Sequence, residues 1–331
     1  MRALVRADAS VSIGMGHRVR CQALISALQS LCWHCQFVVH HDHRSFASSE
    51  DILIYSEQEL LVLAEQADLV ILDHYGYQAD AITLLYKHQP NLLVLDDMND
   101  RGEFSSRWLL NPLKEHYPPS VEFPLLGSHY ALLRPTFSEL TLDTSLQRDK
   151  LLVALGGTDP LCLTLPIIKS LIKADFESKD ILVLVGSNAK GADAVIDFCH
   201  DQGIAFEQGI DDVTPLMKQA KMAISAAGGT LFELACCGVP TLFAQVADNQ
   251  TRSLEQHVPL DWCKAVRFDL LEEQGDSEQL KVLMTLCHDM WSDKSWQERA
   301  RYIARNLVDG NGANRVAQII HDYVVKSTEP S

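Results

Sequence analysis

The strongest constraint on the fold is a set of short runs that are apolar at every position and end on an acid. Leu69–Asp73 reads Leu-Val-Ile-Leu-Asp, and Asn91–Asp96 reads Asn-Leu-Leu-Val-Leu-Asp. A strand with one wet face alternates apolar and polar residues. A run without alternation is buried on both faces, as in a parallel sheet with helices on each side. The intervening segments agree. Arg2–Arg6 and Cys35–His40 read as strands, and Val19–Leu31 as a helix with apolar Val19, Ala23, Ala27 and Leu31. Glu57–Ala67 and Tyr77–His88 also read as helices. Chemistry in such sheets collects at the carboxyl ends of the strands. Arg6, Asp8, Asp73, His74, Tyr75, Asp96 and Asp97 fall there.

The plan is used twice, which suits the two domains that 331 residues suggest. The first is expected over 1–140, with Glu115–Pro124 as a proline-rich loop. A polar stretch, Leu140–Asp149, reads as the linker. The second is expected over 149–325. Its strands are Lys150–Leu155, Ile181–Val185, Ala205–Glu207, Met222–Ser225 and Val239–Phe243, and its helices include Val213–Ala220, Leu231–Cys237, Ser295–Leu307 and Ala313–Val324. The formal charge of −16 argues against broad binding to nucleic acid or to an anionic membrane. No run of about 18 apolar residues is present, so no membrane span is expected. Nine cysteines, an odd number, point to reduced thiols and a cytoplasmic setting.

Three glycine turns stand at strand ends. In Ile13-Gly14-Met15-Gly16-His17 the turn feeds a helix. Unpaired backbone N–H groups and the positive end of the helix dipole meet there, which suits a diphosphate. His17 could exchange a proton near neutral pH; the alternative is a tight turn with a solvated histidine. Gly156-Gly157-Thr158-Asp159-Pro160, with Pro160 expected in a first helical turn, and Ala226-Ala227-Gly228-Gly229-Thr230 are the others. Glu233 either accepts from ribose hydroxyls or completes a capping box with Thr230. Gly-x-Gly-x-x-Gly and Gly-x-x-x-x-Gly-Lys-Ser/Thr are both absent, which disfavours a dehydrogenase and a P-loop enzyme. Cys32-Trp33-His34-Cys35 with His40, His41 and His43 fits neither zinc-finger spacing nor a redox pair at a helix start.

Ile210-Asp211-Asp212 through Ala226-Ala227-Gly228-Gly229-Thr230-Leu231-Phe232-Glu233 to Gly238-Val239-Pro240 resembles the UDP-binding half of GT-B glycosyltransferases. Arg6-Ala7-Asp8 and Ile13-Gly14-x-Gly16-His17-x-x-Arg20-Cys21 are more selective, with Asp73-His74-Tyr75-Gly76, Tyr130–Pro135 and Asp248-Asn249-Gln250. Together they resemble the UDP-2,4-diacetamido-2,4,6-trideoxy-β-L-altropyranose hydrolases of pseudaminic acid biosynthesis. The resemblance implies a GT-B fold, two Rossmann-like parallel-sheet domains facing across a cleft. It implies inverting hydrolysis of a UDP-sugar at the anomeric carbon, without metal or cofactor. His17 would be the general base, with Tyr75 and Asn249 positioning sugar or water. Gly14, Gly16, Arg20 and Gln250 would line the substrate. Ile210 would contact uracil, Glu233 the ribose, and Gly228, Gly229 and Thr230 the diphosphate, with Gly156 and Gly157 opposite. A glycosyltransferase on the same fold and a non-catalytic metal or nucleotide-sugar binder using Cys32, Cys35, His40 and His41 are the alternatives.

Overall fold

A computed structural model describes residues 1–7, 9, 16–140, 148–269 and 277–328. Asp8, Gly14 and most of the expected linker lie outside them. The chain divides into two compact units, Met1–Ser138 with Gly310–Ser331, and Glu139–Asp309.

The first unit holds a seven-stranded sheet. Its strands are β1 (Arg2–Ala7), β2 (His34–His40), β3 (Ile52–Ile54), β4 (Leu69–Asp73), β5 (Leu92–Leu95), β6 (Ser106–Asn111) and β7 (Val121–Leu126). They lie in the order β3-β2-β1-β4-β5-β6-β7, and every pair is parallel. The helices are α1 (Gly16–Ser30), α2 (Glu57–Ala64), α3 (Ala79–His88) and the single turn α4 (Pro135–Ser138). In the second unit the strands are β8 (Lys150–Ala154), β9 (Ile181–Val185), β10 (Ala205–Gln208), β11 (Ala220–Ser225), β12 (Thr241–Gln245) and β13 (Cys263–Arg267). They form a parallel sheet in the order β10-β9-β8-β11-β12-β13. Its helices are α5 (Thr164–Lys173), α6 (Ala192–Gln202), α7 (Thr214–Gln219), α8 (Thr230–Cys236), α9 (Thr251–His257), α10 (Ser277–Ser292) and α11 (Lys294–Leu307). The last helix, α12 (Gly312–Thr328), belongs to the first unit.

Both faces of the first sheet are buried, as unbroken apolar runs require. Ala3, Val5, Leu69, Ile71, Leu93 and Leu95 face one core with α1 and α12. Leu4, Val70, Leu72, Leu92 and Val94 face the other with residues of α2 and α3. Successive residues of a strand point to opposite faces. Asp73, two beyond Ile71, therefore falls on the α1 side. Arg6, two beyond Leu4, falls on the other side and pairs with Glu57 of α2 at 2.7 Å.

Three expectations are corrected. The proline-rich stretch ends in a strand: β7 carries Pro124 at the sheet edge, where a missing N–H costs no ladder bond. Helix α1 begins at Gly16, three residues before the expected Val19, so His17 stands in its first turn and not in the glycine turn that precedes it. The final helix, assigned from sequence order to the second domain, packs its Ala313, Val316, Ala317, Ile320 and Val324 against Ala23, Leu24, Ala27 and Leu28 of α1. Its amphipathic pattern was legible, but pattern alone does not say which apolar surface covers it. No helix among the described residues is long and apolar enough to cross a membrane.

In the second unit His257 is buried beside Trp262, whose Nε1–H donates to its Nδ1 at 3.2 Å. Burial pushes its pKa down to about 4. Above about pH 6.5 the ring is neutral in folded and unfolded chains alike. Below that, the unfolded chain takes a proton that the fold refuses. Stability is expected to fall by about 3 kcal/mol between pH 6.5 and pH 4 and then level off from this group. Denaturant unfolding followed by tryptophan fluorescence checks this, since His257→Gln should flatten that part of the pH profile.

Candidate functional site

The order of the first sheet reverses between β1 and β4, neighbours that are not consecutive in the chain. Ligands of open parallel sheets bind outside the carboxyl ends at such a point. The end of β4 supplies Asp73 and the chain after β1 leads into α1. On that helix His17, Arg20 and Cys21 follow the i, i+3, i+4 spacing that puts three side chains on one face. All three converge on Asp73.

Asp73 is fully buried. Its Oδ1 accepts from His17 Nδ1 at 2.6 Å and from Arg20 Nη2 at 2.5 Å. Its Oδ2 accepts from Arg20 Nε at 2.6 Å and from the Cys21 thiol at 3.4 Å. Burial alone would raise the Asp73 pKa, but the Arg20 guanidinium and the hydrogen bonds from Arg20 and His17 outweigh it and hold the group far below the usual carboxylate range. Burial works against the charge on Arg20 too, yet Asp73 and Asp97 keep it firmly cationic. The Cys21 thiol is pushed up by burial and then by Asp73, and stays protonated as a donor.

This arrangement sets the tautomer of the His17 ring. An ionised carboxylate only accepts, so Nδ1 carries the hydrogen that faces Asp73. In the neutral ring Nε2 is then a bare acceptor, and it makes no hydrogen bond among the described residues. The ring is 6% exposed and meets the Tyr75 ring edge-on, with centroids 4.5 Å apart. The Tyr75 hydroxyl donates to Asp97 Oδ2 at 3.0 Å, and the same oxygen accepts from Arg20 Nη1 at 2.6 Å. Burial, then Asp97, push the Tyr75 phenol well up, so Tyr75 serves as a donor and not as a base. With each oxygen of Asp73 taking two donors, Asp73 has no lone pair left for a substrate. His17 Nε2 is left as an acceptor.

The second sheet reverses between β8 and β11. The glycine turns at 156–157 and 228–229 follow those two strands. A Cβ at any of these four glycines would meet nothing within 4 Å, so their backbones face open space. The first turn is held from behind: Asn188 N–H donates to Gly157 O at 3.1 Å and Lys190 N–H to Thr158 O at 2.9 Å. Gly186 must be glycine, because a Cβ there would stand 2.4 Å from Gly157 O. The second turn is held by Gln250, whose Oε1 accepts from Val246 N–H at 3.0 Å and Ala227 N–H at 3.4 Å.

No family model matches the chain. It is similar to a spore coat polysaccharide biosynthesis protein, SpsG, of Bacillus subtilis, at 27% identity over 96% of each chain. It is also similar to a Helicobacter pylori protein named as pseudaminic acid cytidylyltransferase and UDP-2,4-diacetamido-2,4,6-trideoxy-beta-L-altropyranose hydrolase. There the identity is 22% over 83% of this chain, which spans only 50% of that protein's length. Among solved structures, MurG of Acinetobacter baumannii superposes with a TM-score of 0.67 at 15% identity, covering 97% of this chain and 99% of that one. The chain has the GT-B fold.

Within this GT-B chain, the residues singled out from sequence fall into three groups. His17 and Tyr75 come together in the first unit, and Gly16 opens α1 with open space beside it. Arg20, expected at the substrate, donates to Asp73 and Asp97. In the second unit Gly156, Gly157, Gly228 and Gly229 lie at strand ends, Ile210 follows β10, and Asn249 is exposed in the turn 248–250. Gln250 braces the glycine turn with its amide oxygen. The capping box is not formed: Gly229 is the residue before α8, Thr230 is its first helical residue, and no side chain caps it. Pro160 does not open a helix either. Helix α5 starts at Thr164, and the buried Asp159 carboxylate accepts from the Leu163 and Thr164 N–H groups at 2.9 Å each.

The sequence reading placed Asp73 and Asp97 at the functional edge of the sheet but gave neither a role. The signal was present: an acid closes an unbroken apolar strand, and His17, Arg20 and Cys21 share a helical face. The Cys32–His43 segment does not gather. His40 Nε2 lies 3.2 Å from Tyr55 O, and His41 stacks on Tyr55 with ring centroids 4.5 Å apart. Among the described residues no group of three or more His, Cys, Asp or Glu could hold a metal ion.

Proposed function

We propose that this chain is an enzyme acting on a nucleotide-sugar, and that it hydrolyses a UDP-linked diacetamido-trideoxyhexose at the anomeric carbon. Water attacks C1, His17 Nε2 takes its proton, and the C1–O bond breaks with UDP leaving. The products are UDP and the sugar with inverted configuration at C1. UDP is a good leaving group, so no strong general acid is required. The observation that carries the reading is a buried imidazole whose Nδ1 is tied to a saturated, ionised carboxylate and whose Nε2 is left as an acceptor. A pair of carboxylates does this work in most glycosidases; here both carboxylates of the cluster are engaged by Arg20.

The UDP half of the reading rests on the open glycine turns of the second unit. Gly228, Gly229 and Thr230 would hold the diphosphate on backbone N–H groups, with Ile210 at uracil, Glu233 at the ribose, and Gly156 and Gly157 nearby. Asn249 and Tyr75 would position sugar or water. The activity named for the Helicobacter pylori relative supports the substrate class, and the Bacillus subtilis relative supports a place in polysaccharide synthesis.

The likeness to MurG favours a second reading, transfer of the sugar to an acceptor hydroxyl, with His17 taking the proton from that hydroxyl. The two readings separate in one experiment. Purified protein is incubated with the UDP-sugar and no acceptor, and UDP and released sugar are followed. Hydrolysis yields both in equal amounts, and in ¹⁸O-labelled water the label enters the sugar. UDP appearing only when an acceptor is added would decide for transfer.

A further inference from the structure

We propose that the end of α8 remote from its glycine turn is a second binding site, one that takes a phosphate-class dianion on Arg148, Arg301 and Arg305. Three elements bring these side chains to one place. Arg148, just before β8, donates from Nη1 and Nη2 to Cys237 O, both at 3.1 Å. Arg301 and Arg305, four apart on α11, share one helical face. Both stems lie against Gly238. A Cβ built there would stand 2.6 Å from Arg305 Cγ and 3.1 Å from Arg301 Cγ. Gly238, at φ +62°, is therefore the floor of a cradle that any other residue would fill.

A helix C-terminus attracts cations, but its charge is only about half an elementary unit. Arg148 takes the Cys237 carbonyl, and backbone N–H groups of Cys237, Val239 and Gly238 take those of Glu233, Leu234 and Ala235. Arg301 and Arg305 make no hydrogen bond or ion pair among the described residues. Burial, then Arg301 and Arg305, push the Arg148 guanidinium down to about 10. Burial, then Arg305, also lower Arg301, with Glu298 as the opposing charge. Lys218 adds another cation near Cys237, while Glu233 and Asp309 act on the neighbouring thiols. Against these three carboxylates the three arginines and Lys218 still leave a local positive surplus, in a chain of net charge −16, that an anion would neutralise. Arginine forks match phosphate oxygens in pairs, which a scattered set of lysines does not. The site does not depend on the proposed hydrolysis.

Inorganic phosphate is the probe. Calorimetric titration is done at constant ionic strength against chloride, with UDP present in excess so that any nucleotide site is filled. Wild type should bind one phosphate, and R301Q/R305Q should bind it about tenfold or more weakly while its UDP affinity is unchanged. R301K/R305K should recover part of the loss, and circular dichroism verifies that each variant is folded. Co-sedimentation with phosphatidylglycerol vesicles, against phosphatidylcholine, separates the two sources of such a group. Arginine-dependent sedimentation identifies a lipid headgroup, and phosphate binding without sedimentation a dissolved anion. Equal phosphate binding by wild type and R301Q/R305Q, or no binding in either arm, overturns the proposal.

Discussion

Replacement of His17 by alanine is expected to lower the turnover of UDP-sugar by about 10²–10⁴-fold, the range that a positioned general base supplies. The effect should fall on kcat, with little change in the affinity for UDP, because no diphosphate contact is assigned to the ring. His17→Gln is the companion variant. Glutamine can still reach Asp73 but cannot take a proton, so its rate should be as low as that of alanine. Steady-state kinetics on both variants, with UDP binding measured separately, provide the check. Near-normal turnover in either would remove His17 from the proton transfer and with it the hydrolysis scheme.

The second large effect is expected at Asp73. Asp73→Asn keeps the shape of the side chain and removes its charge. An amide presents one oxygen and one NH₂ group where the carboxylate presented two acceptors. Two of the four donors then lose their partner, either His17 with one Arg20 N–H or the other Arg20 N–H with the Cys21 thiol, and the imidazole is free to adopt the tautomer that places its hydrogen on Nε2. The rate should fall by about 10²–10⁴-fold, as for a base whose orientation and tautomer are no longer held. The fold should suffer as well. Breaking a buried ion pair from one side costs about 3–5 kcal/mol, read as an earlier unfolding transition of the first unit. His17→Ala removes the base but leaves Arg20 on Asp73, so its loss of stability should be smaller. That difference separates chemistry from folding: both variants lose rate, but only Asp73→Asn should lose several kcal/mol.

Much of this architecture was legible in the residues. Runs such as Leu69–Leu72, short and rich in branched residues, favour a strand covered on both faces, and their number and spacing point to two parallel sheets. The site was half legible. His17 and Tyr75 were found through motif resemblance, yet the role of Asp73 needed strand parity. One residue of slip would put that carboxylate on the α2 side, beyond reach of α1. Arg20 and Gln250 show a different limit. A polar side chain near a site can serve the ligand or serve the scaffold, and a sequence pattern does not distinguish these. Geometry adds a scaffold role to each: the Arg20 fork closes on Asp73 and Asp97, and the Gln250 amide oxygen accepts from the Val246 and Ala227 backbone. The capping box failed for a related reason. Thr230 and Glu233 have the right spacing, but α8 starts one residue earlier than that motif requires.

The docking of α12 on α1 has a consequence for how the molecule is made. A ribosome delivers β1 through α4, then all of Glu139–Asp309, and only afterwards the helix that covers Ala23, Leu24 and Leu28. At ordinary elongation speed that delay is roughly 10–40 s. For that interval the helix bearing His17 has an oily flank with nothing over it, a natural landing place for a chaperone. If α1 carries the proposed base, activity should await the docking of α12, and proteolytic removal of α12 should lower it.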